Sequence, residues 1–284
     1  MRTSTQFYTR TWVKAFAAFA WVLVTLGGSQ VFAAGIASTK HNLGTTNSRV
    51  GENRVTAGTD EICVFCHTPH GANTGVSAPL WNKALPSTTY TPYNTTNSGT
   101  IDGAVLSVGS VSLACLSCHD GTQAMDNIIN APGSGGYDAS GGGATGLGYT
   151  WATGLRADAD GKLTGIANLG ADLTNDHPIG IQYCGGGPNA TTPTGGCVDA
   201  DFVAPQTALI NSARVWWVDT AGGTAGSRQR TDMTLYTRSF GGTNGPSVEC
   251  GSCHDPHVPA VGTQVAFLRV SNTGSELCLA CHVK

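Results

Sequence analysis

The sequence predicts one domain of mostly irregular chain, with short helices around a repeated motif and a few short β-strands. Three observations carry that prediction. Glycine is very frequent, 39 of 284 residues, and only 12% of the side chains are charged. No long stretch beyond the first 33 residues keeps a helical period. The pattern Cys-x-x-Cys-His recurs four times. Glycine-rich loops such as residues 132–148 supply little core, so something other than side-chain burial is expected to organise the chain. Scattered apolar runs and six Trp argue against disorder.

The first 33 residues read as a secretory signal. Arg2, Arg10 and Lys14 form a basic start, residues 15–28 an apolar run, and Val31-Phe32-Ala33 a small-residue cleavage site. The apolar run is shorter than the roughly 20 residues of a spanning helix, which weighs against a membrane anchor. No cysteine precedes Cys63, which excludes a lipid-modified cysteine at the cleavage site. Cleavage after Ala33 leaves 12 basic and 18 acidic side chains, a net charge of −6. Such a chain is a poor match for nucleic acid or an anionic membrane. An exported, extracellular or periplasmic domain over residues 34–284 is expected.

The four motifs are Cys63-Val-Phe-Cys66-His67, Cys115-Leu-Ser-Cys118-His119, Cys250-Gly-Ser-Cys253-His254 and Cys278-Leu-Ala-Cys281-His282. This is the attachment pattern of c-type haem. Two thiols bond the porphyrin edge, and the next residue reaches the iron from one face. Zinc sites also use Cys-x-x-Cys pairs, but they do not require a histidine after the second cysteine every time. Thioredoxin-like pairs would need a βαβ context that is missing. Four covalently attached haems are expected, and they would form the core of the domain.

There are eight histidines. His67, His119, His254 and His282 belong to the motifs. His41, His70, His177 and His257 remain, one for each second axial position. Met125 and Met233 are the other candidate ligands, and the matching count favours histidine. Reach limits the pairing. Three residues span at most roughly 10 Å, so His70 should not complete the haem of His67, nor His257 that of His254. Each Cys-x-x-Cys-His-x-Pro-His stretch must then serve two haems, with Pro69 and Pro256 limiting helix continuation. His282 has no histidine downstream, so its second ligand comes from earlier in the chain or from another subunit.

Cys184 and Cys197 are left over and lack a following histidine. In an exported protein they are expected to form a disulfide, with free thiols as the alternative. Closing a loop of this length contributes about 3 kcal/mol in the chain-entropy model. The haem motifs thus cluster at 63–119 and 250–282, around a haem-free insert of about 120–249. Residues 104–113, 202–219 and 264–270 are β-prone. Trp81, Trp216 and Trp217 are candidates for packing on haem edges or in an ordinary core.

Ile62–His70 (ICVFCHTPH), Pro79–Asn82 (PLWN), Cys115–Gly121 (CLSCHDG), Asp176–Gly180 (DHPIG), Cys250–His257 (CGSCHDPH) and the Lys40–Leu43 stretch resemble the OmcE-type extracellular tetrahaem cytochromes, which polymerise into filaments. The resemblance spans nearly the whole chain beyond the signal. It implies little regular secondary structure, haems stacked in alternating parallel and T-shaped pairs, and subunits joined head to tail. It also implies that a histidine of one subunit, here His70, completes a haem in the next. A repeated interface of that kind gives an open filament. Electron transfer along bis-histidine haems, without a substrate site, is the expected function. A non-polymeric electron shuttle, a multihaem reductase and a purely structural filament are the rivals. A reductase needs an iron position that the histidine count leaves closed.

Overall fold

The structure, a computed structural model, describes residues 35–47, 53–152, 156–220, 224–259 and 267–283. The expected signal at 1–33 lies outside the described residues, as do 264–266 of the third β-prone stretch, whose described part, 267–270, forms no strand and makes only an isolated bridge from Leu268 to His254. Gly35–Lys284 forms one compact unit. No helix among the described residues is long and apolar enough to cross a membrane.

The helices are few and short. α1 (Ser110–His119) contains the second motif, α2 (Cys250–Cys253) the third and α3 (Glu276–Leu279) the fourth. A single 3-10 turn over Cys63–Phe65 opens the first. Residues 104–113, expected to favour a strand, depart from that reading. Val105 makes only an isolated bridge to Ile181, and α1 starts at Ser110. Tertiary bonding overrides propensity here. On α1 the buried Ser112 hydroxyl donates to the Glu249 carboxylate at 2.5 Å and accepts from the Cys250 backbone N–H at 3.0 Å. A strand would carry Ser112 away from both.

Three sheets form. β1 (Val55–Ala57) pairs antiparallel with β3 (Thr150–Trp151), and β2 (Thr91–Pro92) pairs parallel with β4 (Asp172–Leu173). The largest sheet lies mostly inside the insert, in the order β5-β9-β8-β7-β6, all antiparallel. Its strands are β5 (Ile181–Gln182), β6 (Gln206–Ile210), β7 (Ala213–Val218), β8 (Met233–Phe240) and β9 (Thr243–Val248). The β-prone run 202–219 holds β6 and β7.

Turn chemistry fixes the register of this sheet. Asn211 and Ser212 join β6 to β7 with φ of +49° and +66°, and Gly241 and Gly242 join β8 to β9 with φ of +59° and +88°. Two left-handed residues in succession match the twist of a tight hairpin. Pro246 sits in β9 opposite Thr237, just outside the segment that β5 covers at Ser247 and Val248. Its missing N–H therefore removes no bond to β5.

Side-chain burial does more than the composition suggested. One apolar cluster holds Leu43, Val55, Val64, Phe65, Met125, Ile128, Trp151 and Leu163, with Cys66 and Cys118 packed on it. A second holds Tyr183, Cys184, Trp216, Val218, Met233 and Leu235, with Cys253 and Cys281 packed on it. Each cluster backs one pair of motifs. Met125 and Met233 are spent in these clusters, 2% and 1% exposed. Trp216 is a sheet-core residue, and the buried Trp217 donates its Nε1–H to Asp219 at 2.6 Å. Cys184 and Cys197 form a disulfide with Cα atoms 5.3 Å apart, beside the second cluster.

Candidate functional site

The first motif is held by a strap, Pro79–Lys83. The His67 backbone turns back on Cys63, and its ring Nδ1 lies 2.7 Å from the Pro79 carbonyl. Thr68 N–H donates to the Leu80 carbonyl and Asn82 N–H to the Cys66 carbonyl. The fully buried Asn82 side chain donates to the carbonyls of Val64 and Asn130 and accepts from Asn130 N–H. Trp81 stands edge-on to the His67 ring, with centroids 6.2 Å apart.

The second motif is fixed from behind. Asp120 follows His119 and accepts from the Tyr90 hydroxyl at 2.7 Å, the Thr88 hydroxyl at 3.0 Å and Thr122. The His119 ring Nδ1 lies 2.8 Å from the Ala167 carbonyl. The third motif is preceded by Glu249, 1% exposed, which caps α2 and pairs with Arg238 at 2.8 Å. Burial pushes the Glu249 carboxyl up, against the opposing pull of its Ser112 hydrogen bond and Arg238. Asp255, just after this motif, is held at about 2, chiefly by its hydrogen bond from His257, with burial opposing.

Imidazoles are brought together across the chain. His41 and His119 have ring centroids 6.2 Å apart, and so do His67 and His257. An imidazole nitrogen lies about 2 Å from a bound metal ion, so two rings on opposite sides of one iron have centroids about 6 Å apart. Both pairs match that separation. His177 lies within electrostatic range of His282 and of His254. His70 is exposed, and among the described residues no other histidine ring lies near it. Burial first, then His119, pushes His41 down to about 3, despite a hydrogen bond to the Pro256 carbonyl.

The second ring nitrogen is also provided for. Nδ1 of His67, His119 and His177 faces a backbone carbonyl, and Nδ1 of His257 faces the Asp255 carboxylate at 3.1 Å. Donation from Nδ1 leaves the Nε2 lone pair as the ligand, the usual arrangement for a metal-binding histidine.

The motif thiols form a continuous series in sequence order. Cys66 is in electrostatic range of Cys118, the Cys115 and Cys250 thiols share a hydrogen bond, and Cys253 is in range of Cys278 and Cys281. Burial pushes Cys66 and Cys281 up to about 12 and Cys253 to about 11. Burial at these three cysteines disfavours a thiolate, whereas the hydrogen bond with Cys115 pulls Cys250 down. Among the described residues no three or more His, Cys, Asp or Glu side chains converge as a metal cluster. Paired rings beside paired thiols fit haem better than zinc.

Residues 245–284 match the family model for a doubled CXXCH motif. The paired motif indicates a multihaem c-type cytochrome with covalently bound haem c. No curated protein matches the chain. The match covers the last two motifs; the first two carry the same five-residue pattern.

Several site residues were not singled out from the sequence. Asn82, Lys83, Ser112, Asp120 and Glu249 are all buried polar groups that position the motifs. Of Pro79–Asn82, the sequence marks Trp81 as a packing candidate and the rest only through a resemblance. The signal for Glu249 and Asp120 was their adjacency to motif residues.

Proposed function

We propose that the chain carries electrons along four covalently bound haems, each held between two histidines, and that copies join end to end as the subunit of an extracellular filament. The observation that supports this reading is the succession of neighbouring motif thiols, Cys66 by Cys118, Cys115 by Cys250 and Cys253 by Cys278, as a chain of closely spaced haems would need. Haem bound there would supply one-electron exchange between ferric and ferrous iron. The protein's part is to hold ring planes, keep water from the thioether faces with the two apolar clusters, and fix the Nε2 tautomer through Nδ1.

The histidine arrangement supports the assignment of His67 with His257 and His119 with His41. His257 serving the first motif agrees with the reach limit that bars it from its own. His177 stands by both His254 and His282, so it completes one of them and leaves the other open. His70 is the remaining histidine. Its exposed position supports donation to a C-terminal motif of a neighbouring copy. The end motifs carry further exposed groups: Cys63 and Leu80 at one end, Cys278, Leu279 and Val283 at the other.

Mass spectrometry of the exported protein tests the cofactor count, with four haems expected. Negative-stain microscopy tests the assembly. Uniform filaments that His70→Ala abolishes, with all four haems still attached, are the expected result. Discrete monomers from the native protein would reduce the reading to a soluble tetrahaem shuttle. High-spin haem that binds exogenous ligands in the assembled protein would favour a reductase.

A further inference from the structure

Lys83 is fully buried, and its Nζ donates to three backbone carbonyls: Ala124 at 3.1 Å, Met125 at 3.1 Å and Asn127 at 3.0 Å. Three acceptors at hydrogen-bond distance require three N–H bonds. A neutral amine has two, so the geometry holds the ammonium form. Among the described residues no carboxylate oxygen lies within ion-pair distance of this nitrogen. Asp126 sits between the acceptor residues, itself buried. Burial raises its carboxyl, and the Lys83 charge is one of several opposing influences. The positive charge also reaches Cys66, the second attachment cysteine of the first motif.

The third motif has cations too, but they are paired. Arg238 binds Glu249 at 2.8 Å, and Arg269, which reaches Cys253, lies 3.7 Å from Asp255. Burying an ammonium without a carboxylate partner is expensive. A structural strap alone would not require it, since Asn82 in the same strap binds carbonyls with a neutral amide. A buried positive charge stabilises the haem form that has gained an electron, and charge near the site is one of the levers that set potential.

We infer that Lys83 is a buried cation that raises the reduction potential of the haem attached at Cys63 and Cys66 above that of the haem attached at Cys250 and Cys253. This rests on the haem reading of the preceding section. It makes the file of haems electrically asymmetric, with the first motif favoured to hold the electron. Lys83 acts through space on the haem and is a positioning residue for charge, not a ligand.

The test is a spectroelectrochemical titration of the full haem-loaded chain, comparing wild type with Lys83→Gln and Lys83→Arg. Gln keeps two donors for the carbonyls and removes the charge, while Arg keeps the charge. Lys83→Gln should lower one of the four midpoint potentials, a change on the order of tenfold in that haem's reduction equilibrium, or about 59 mV for one electron. Lys83→Arg should leave that component near its wild-type value. Four unshifted potentials in Lys83→Gln, or equal shifts in both variants, would overturn the inference. Because a neutral residue could fail to fold there, Lys83→Met is made as well. If both neutral variants lose haem from the first motif alone, Lys83 is a strap element and the electrostatic role is wrong. A wild-type chain with fewer than four haems would instead overturn the functional reading, and haem counting of wild type separates the two.

Discussion

The two halves of the molecule solve the same problem in different ways. Around the first two motifs there is little regular structure, and buried polar side chains hold the loops. Asn82, Lys83 and Asn127 bond to backbone carbonyls that a helix or sheet would otherwise have satisfied. Around the last two motifs a five-stranded sheet supplies those bonds through its ladder, and the disulfide closes a loop beside it. Buried backbone groups need partners whichever way they are found. A segment with little sheet can meet that need with amides and an ammonium, but each such side chain then becomes a single point of failure. The sheet spreads the same burden over many residues.

The largest test of this contrast lies where the halves meet. Glu249 is bonded to Ser112 of α1 and to Arg238 of β8. Glu249→Ala leaves a partly buried guanidinium without its partner and should destabilise the protein by about 4 kcal/mol. Calorimetry should then show two transitions in place of one, because a buried charged link between the halves is gone while only backbone and hydroxyl bonds such as Cys250 N–H to Ser112 remain. A single lowered transition would mean that other contacts carry the coupling. Next in size, replacing Cys184 and Cys197 by serine should cost about 3 kcal/mol, read as a shift in the denaturant midpoint. The loss should fall on the sheet half, followed through Trp216 and Trp217 fluorescence.

Asn82→Ala should cost about 2 kcal/mol, since Asn130 N–H and two carbonyls lose their buried partner. Proteolysis should then open residues 63–83 while leaving the sheet intact. Equal opening of both halves would erase the distinction. The smallest effect is acid dependence at Asp255. Its folded value of about 2 lies below the ordinary carboxylate value. Its contribution is therefore present above about pH 4 and lost as pH falls toward 2, and after screening it is about 1 kcal/mol. Asp255→Asn should be less stable than wild type at pH 5, and the gap should close by pH 2 in acid-unfolding curves.

Part of the sheet half is legible in the sequence. The two cysteines without a following histidine were the disulfide partners, and the β-prone run at 202–219 holds a hairpin. The second hairpin carries a signal too: Gly241-Gly242 separates two runs of strand-forming residues, the ordinary mark of a two-residue turn. The loop half was legible only as motif positions. A lysine after Trp-Asn looks like a solvated charge, and nothing in its neighbours announces three carbonyls some 40 residues away. The same holds for histidines. Count and reach limited which rings could meet, but the approach of His41 to His119 is set by tertiary packing that has no local pattern. Polar burial is invisible to hydrophobic periodicity, so the half that relies on it is the half that sequence describes least.

The approach of His257 to His67 has a consequence for how the chain is made. The two residues are about 190 positions apart, so the contact is of very long range. A chain emerging N-terminus first presents the first Cys-x-x-Cys-His long before its partner ring exists. If these two rings share an iron, as proposed above, assembly of that centre waits until His257 has been delivered, and a product cut before His257 lacks a finished centre at the first motif.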